Sequence, residues 1–517
     1  MSTNKNEVIA AIDVGSNTIR MKIAEIKSNG KIAVFEDLRQ PINLGRDTFS
    51  MGIIETETIQ KTCEILKDYK RFMKEYKIKT YKAVSTSAVR EAENRDYILD
   101  QIKVKTGLDI DVINNAQERF LTYKGISDKI DDYTRYRKEG MLIVDIGSGG
   151  VEASLYKNGY LNFTENIKVG SLRLREILHD LERKTLNFPE IMEEFVESKI
   201  YLLLPRIKRY NIKHFVGLGG EIKIISMLCN NKAGDVVKIN KSALDELYMK
   251  LKSMTTQSIM HGFGISPERA EVLLPSVIVF RKFLEATDTE VILSPLVSLR
   301  DGLISDIVDT KFKSKRKTEF VEDIISSSRC LAEKYEYDEA HARHVEKISL
   351  ELFDNTTSLH GMGDKERFYL QMASVLHDIG KFISHNNHSL NSYNIIQNSN
   401  IIGLSERDLK IIAKVVKYHS EDSPGNHEAN YRMMDYADRL IVSKLCAILK
   451  LADSLDISHK QYVKNLSVEL DEDLLVKIST DKDITLEQWT FENKSDFFYE
   501  VFGIRPIIRK KVRINNG

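Results

Sequence analysis

The sequence predicts an α/β protein of two related halves, followed by an all-helical region and a small β-rich C-terminal domain. Three observations predict it. Residues 9–26 read IAAIDVGSNTIRMKIAEI and residues 142–155 read LIVDIGSGGVEASL. Each is an apolar run, then Asp, an aliphatic residue, Gly and Ser, then alternating apolar and polar residues. The composition shifts at TKFKSKRKTE, residues 310–319, after which helical patterning runs to about residue 460. Alternation then returns in LSVELDEDLLVKIST and VFGIRPIIRKKVRI.

A chain of 517 residues is too long for a single core. The expected domains are 1–130 and 131–310 for the two α/β lobes, 318–462 for the helical region and 463–517 for the β-rich tail. Residues 7–26 read as a β-hairpin turning at DVGSNT, and residues 56–76 have helical spacing. YKAVSTSAVREAENR runs from a strand into a helix, DIDVIN is a short strand, and NAQERFLTYKGISDKI is a helix. MLIVDIGSGGVEASLYKNG begins the second half, and HFVGLGGEIKII passes from a strand through a glycine turn into a helix. Strands mixed with helices, twice over, fit two facing α/β lobes.

Charge excludes a global nucleic-acid footprint, because 76 basic residues balance 76 acidic ones. The four cysteines lack metal or redox spacing, and no apolar run approaches a membrane span, so a cytoplasmic protein with no membrane partner is expected. The glycines of DVGSNT and DIGSGG let each turn aim several N–H groups at one point, which favours phosphate. A strand, not a helix, follows each turn, which argues against dinucleotide-binding and P-loop folds. Asp13 and Asp145 end the two strands, so facing hairpins put two carboxylates around one cleft. A phosphate chain there needs a hard cation, Mg²⁺ or Mn²⁺.

Together with AVSTSAVREAENRDYI, VINNAQERFLTYKG, KVGSLRLRE, GLGGEIK and SLRDGLI, these strings resemble the exopolyphosphatase/guanosine pentaphosphate phosphatase family over roughly residues 7–308. That family belongs to the actin-like (ribonuclease H-like) ATPase superfamily. The resemblance implies Glu118 as the base that deprotonates the attacking water. It implies Asp145 and Glu152 beside the divalent metal, to which the reading of the facing hairpins adds Asp13. It places Ser16, Asn17, Thr18 and Arg20 in the first phosphate loop and Gly147, Ser148, Gly149 and Gly150 in the second, with Arg90 facing the phosphates. The chain departs from the family at two places. The family's second loop usually reads D-x-G-G-G-S-T-E, where this chain has Asp145-Ile-Gly-Ser-Gly-Gly-Val-Glu152. Ala-Arg usually follows the catalytic Glu, where this chain has Arg119-Phe120.

The helical region holds HARHV at 341–345, LHDIGK at 376–381, HNNHS at 385–389 and LADSLD at 451–456. An adjacent His377-Asp378 with His341 and Asp453 can converge on one divalent metal in a helical bundle. The pattern resembles the HD phosphohydrolase superfamily, either catalytic or architectural, and His388 and His419 are further candidates. The basic tail, Arg505 to Arg513, reads equally as a solvated strand edge or a track for a polyanion.

The leading expectation is an exopolyphosphatase, releasing terminal phosphate from inorganic polyphosphate. Guanosine pentaphosphate 5′-phosphohydrolysis, a non-catalytic polyphosphate or alarmone sensor, and a kinase of the same superfamily are the competing readings. A homodimer is expected.

Overall fold

In the computed structural model, the described residues are 6–27, 32–147, 150–182, 184–185, 187–229, 234–312, 315–399, 401–420, 423–425, 428–470 and 473–510. Ser148 and Gly149 of the second loop, and Lys511 and Arg513 of the tail, lie outside them. The chain divides into two compact units, Met1–Ser326 and Ser327–Gly517.

The first unit holds two sheets. One comprises β1 (Glu7–Val14), β2 (Thr18–Ile26), β3 (Ile32–Pro41), β4 (Thr80–Ser85) and β5 (Asp111–Val112), in the order β3-β2-β1-β4-β5. The other comprises β6 (Met141–Ile146), β7 (Val151–Lys157), β8 (Tyr160–Ile167), β9 (His214–Gly219), β10 (Val236–Asn240) and β11 (Val291–Pro295), in the order β10-β11-β9-β6-β7-β8. Without the edge strand β10, the second order repeats the first: an antiparallel three-strand meander, then parallel strands beside its first member. The fold is therefore actin-like, and the repeated strings are its two matching hairpins. Central strands buried on both faces read as unbroken apolar runs. Ile9, Ala10, Ala11 and Ile12 of β1 and Leu142, Ile143 and Val144 of β6 are all fully buried.

Alternation in β2 leads one to expect Lys22 in water. It is buried instead, its Nζ 2.6 Å from Asp301 Oδ1. The cause is helix Leu299–Phe312, which follows the second sheet in sequence but packs on the first, burying Leu303, Ile304 and Val308 against Ile9, Ala11 and Ala24. Packing therefore places residues 299–312 with the first lobe, not with the 131–310 segment. This helix also crosses helix Asn115–Lys129 at very short range. A Cβ on Gly302 would stand 1.8 Å from the Leu121 carbonyl oxygen, so no other residue fits without parting the helices.

The second unit is mainly helical. Its helices include Glu339–Asn355, Asp364–Leu376, His388–Gln397, Glu406–Lys417 and Tyr436–Ser454. Its sheet pairs β12 (Asn465–Leu470) antiparallel to β13 (Leu474–Ser479), and β13 parallel to β14 (Pro506–Lys510). An 18-residue helix, Thr485–Phe502, lies between β13 and β14. Sequence alternation does not announce it, yet a parallel pair requires such a crossover. Among the described residues, no helix is long and apolar enough to cross a membrane.

Candidate active site

The two hairpin turns are built alike. Gly15 N–H donates to the Thr18 carbonyl at 3.1 Å, and Gly147 N–H donates to the Gly150 carbonyl at 2.9 Å. Register pairs Asp13 with Arg20 across the first hairpin and Asp145 with Glu152 across the second. A third glycine turn closes on the second. Gly219 has φ +132°, and a Cβ there would lie 2.5 Å from the Ile146 carbonyl oxygen. Only glycine permits that approach.

Helix Asn115–Lys129 lies between the sheets and carries Glu118 in its first turn. Asn114 and Gln117 form a capping box that fixes its start. Arg90 clasps the approach to this turn, donating to the Ile113 carbonyl at 2.8 Å and to Asn115 Oδ1 at 2.9 Å. Tyr123 fastens the helix to the second sheet through a 2.8 Å hydrogen bond to Ser154 Oγ.

Asp13, Glu118 and Asp145 converge electrostatically. Burial pushes Glu118 up to about 7, reinforced by Asp13 and Asp145 and opposed by Arg90 and Arg119. Burial likewise pushes Asp145 up to about 6 against the pull of Arg119, and raises Asp13 against Arg20 and Arg300. Among the described residues, neither Asp13 nor Asp145 makes an ion pair within 4 Å. Two desolvated, all-oxygen donors without a close counter-charge suit a hard divalent cation.

In the first loop, Arg20 Nε donates to Thr18 Oγ1 at 2.9 Å, Ser16 Oγ lies 3.1 Å from Ser87 Oγ, and Asn17 is exposed. In the second, Glu152 is partly occupied: its Oε1 pairs with Arg119 and accepts from Asn166 Nδ2 at 2.8 Å. Arg119 is where the chain departs from the family's usual Ala-Arg, and Phe120 beside it packs edge-on against Phe320, ring centroids 5.3 Å apart. Sequence reading missed Arg300, whose buried guanidinium pairs with Asp37 and faces Asp13. It missed Ser87 as well. Their signals were SLRDGLI and the Ser of STSA, which register as motif matches without showing what they touch.

The second unit brings His341, His377, Asp378 and Asp453 together. His341 Nε2 lies 3.1 Å from His377 Nε2, 3.5 Å from Asp378 Oδ2 and 3.4 Å from Asp453 Oδ1. His388 and His419 join the same cluster, 3.5 Å and 3.8 Å from Asp378 Oδ1.

Residues 22–311 match the Ppx/GppA phosphatase family, and residues 325–495 match Ppx/GppA phosphatase, domain III. A bifunctional 3-dehydroquinate synthase/phosphatase of Fusobacterium nucleatum is 26% identical over 323 residues, which is 59% of this chain and 46% of that one. This chain thus spans less than half the length of that relative. A guanosine-5′-triphosphate,3′-diphosphate pyrophosphatase of Pseudoalteromonas translucida is 22% identical over 496 residues, covering 90% of this chain and 93% of its own. The solved structure of the Aquifex aeolicus Ppx/GppA family member superposes with a TM-score of 0.52 at 24% identity, over 60% of this chain and 100% of that one.

Proposed function

This chain belongs to the Ppx/GppA phosphatase family, whose members are hydrolases of phosphoanhydrides, and from that premise we propose that it is an exopolyphosphatase. The observation that supports this reading is Glu118, held near neutrality between Asp13 and Asp145 at two matched amide turns. Phosphoanhydride hydrolysis needs alignment, charge neutralisation and one base on the water. Glu118 takes a proton from the attacking water; with its pKa at about 7 it is ionised often enough at neutral pH and still basic enough to work. Arg20 and Arg90 hold phosphate oxygens, Arg90 positioned by its bonds to Ile113 and Asn115. Backbone N–H groups of Ser16 and Asn17 at the first turn receive the terminal phosphate.

Asp13, Asp145 and the second oxygen of Glu152 would hold Mg²⁺ or Mn²⁺. When bound, the cation neutralises charge on the scissile phosphate. Glu152 meanwhile keeps Arg119 against the second hairpin through Oε1.

Guanosine pentaphosphate 5′-phosphohydrolysis is the second reading, favoured by relatives of that name that match most of this chain. The test is Mg²⁺-dependent orthophosphate release from long-chain polyphosphate and from guanosine pentaphosphate, for wild type and Glu118→Ala. Faster release from polyphosphate, cut about 10²–10⁴-fold in the variant with little change in KM, supports the leading reading. Preference for the nucleotide promotes the second. Tight polyphosphate binding without release from either substrate means the cleft is a sensor.

A further inference from the structure

The helix Lys315–Lys334 begins just beyond the stretch that matches the phosphatase family, residues 22–311. Its first turns belong to the first unit, which ends at Ser326, and the rest to the second. Two side chains in those first turns tie it to both sides of the candidate site. Phe320, 4% exposed, meets Phe120 edge-on. Lys124, one turn beyond Phe120 on the helix that carries Glu118, places its Nζ 5.2 Å from the centroid of each of these two rings. Its ammonium also pairs with Asp306 and, at 3.3 Å, with Asp309, both on helix Leu299–Phe312. Two carboxylates and two rings thus replace the water that a buried ammonium gives up. The node joins three helices around one charge.

Asp323 makes the second tie. It is fully enclosed and pairs with Arg137. Arg137 donates to the Gly159 carbonyl at 2.7 Å, in the turn between β7 and β8, and its guanidinium lies 4.8 Å from the ring centroid of Tyr156 on β7. The same strand β7 carries Glu152 and Ser154, the partners of Arg119 and Tyr123. Phe320 therefore bears on the helix of Glu118, while Asp323 is anchored through Arg137 to the strand that this helix is fastened to.

The direction of the contact gives it a consequence for Glu118. Successive helix residues turn by about 100°, so Phe120 lies about 200° around from Glu118, on nearly the opposite face. Arg119 and Tyr123 draw this helix toward β7. Phe120 and Lys124 hold it from another side, against Phe320. Without that support the first turn is free to tilt, and a displacement of about 1 Å at a reacting group can cost about 10²-fold in rate.

We propose that Phe320 is a positioning residue for Glu118: the helix that leads into the second unit braces the helix of Glu118 through Phe120 and Lys124. The part of the chain that prepares the reaction then extends past residue 311 into this helix. The inference rests on the reading of Glu118 as the base. It also gives the aromatic residue at position 120, where the chain departs from its family, a task that an arginine beside Lys124 would not perform.

The test is a double-variant cycle in the full chain, read as Mg²⁺-dependent orthophosphate release from long-chain polyphosphate and from guanosine pentaphosphate. The temperature is one at which circular dichroism shows each variant folded. Phe320→Ala should lower kcat at least about tenfold with KM changed less than about twofold, because Phe320 acts on the base and not on the substrate. In the Glu118→Gln background the same substitution should change kcat less than about twofold, because no base is left to position. Phe320→Leu keeps most of the apolar volume without the ring, so its kcat should lie between wild type and Phe320→Ala, and it carries the cycle where Phe320→Ala does not fold. Equal losses in the two backgrounds make Phe320 a residue of stability alone and overturn the proposal, as does a wild-type kcat in both Phe320 variants. Glu118→Gln at the wild-type rate, or no release by wild type from either substrate, overturns the reading of the base and the brace with it.

Discussion

Arg119 stands where the chain departs from its family, so replacing it with methionine tests the reasoning most sharply. Its side chain is 4% exposed and pairs with Glu152, itself 12% exposed, across the interval between helix Asn115–Lys129 and β7. Removing one partner of a buried pair leaves an uncompensated charge and costs about 3–5 kcal/mol. Two features put this case at the low end. Asn166 keeps its 2.8 Å hydrogen bond on Glu152, and Arg119 Nε is a buried donor with no partner among the described residues. The expected loss is therefore about 3 kcal/mol, a fall of about 4 °C in the melting transition of the first unit. Most of the loss is the stranded carboxylate, so Arg119→Met with Glu152→Gln should recover at least about half of it. The assay is calorimetric melting of wild type, both single variants and the double variant, with kcat measured alongside. Because Glu118 is the neighbouring residue, kcat should fall with the single variant and return partly with the double. Simple addition of the two single effects would show that the pair does not hold this helix to the hairpin, and would refute the reasoning.

The pH dependence of catalysis follows from Glu118. A base works ionised, so with its pKa at about 7, kcat/KM should fall about tenfold per pH unit on the acid side, and Glu118→Gln should remove that limb. The sign for stability is the opposite: a carboxyl raised from 4.5 to about 7 binds its proton more tightly when folded. Its contribution is present at pH below 4.5 and is lost as pH rises to about 7, so the Mg²⁺-free melting temperature of Glu118→Gln should decline less across that window than that of wild type. Gly302→Ala, with its Cβ only 1.8 Å from the Leu121 carbonyl oxygen, should lower stability by about 3 kcal/mol and reduce kcat, because the displaced helix carries Glu118. Chelation should abolish phosphate release and added Mg²⁺ restore it, with Asp145→Asn raising the Mg²⁺ concentration needed at least about tenfold.

What the sequence made legible was whatever is local. Each hairpin is a strand, a short turn and a strand, so its whole pattern lies within about twenty consecutive residues, and its duplication shows as a repeated string. Lys22 was not legible, because its burial depends on Asp301, 279 residues further along. Period-two alternation reports which face of a strand a residue occupies, not whether a distant helix later covers that face. The helix Thr485–Phe502 escaped for a related reason. The strands around it advertise alternation, and the need for a crossover appears only once β13 and β14 are known to run parallel.

The Arg119 substitution shows where motif transfer stops and geometry must take over. One position along a helix turns a side chain by about 100°, so an arginine moved from position 120 to 119 cannot present its guanidinium in the same direction. Here position 120 is an aromatic residue packed on Phe320, and the moved arginine meets Glu152 instead. A residue that pattern alone would assign to substrate or metal thus also serves to lock the helix that carries Glu118 to the second hairpin. The same limit applies in the second unit. Spacing could nominate His341, His377, Asp378 and Asp453, but only the fold shows that the other oxygen of Asp378 faces His388 and His419.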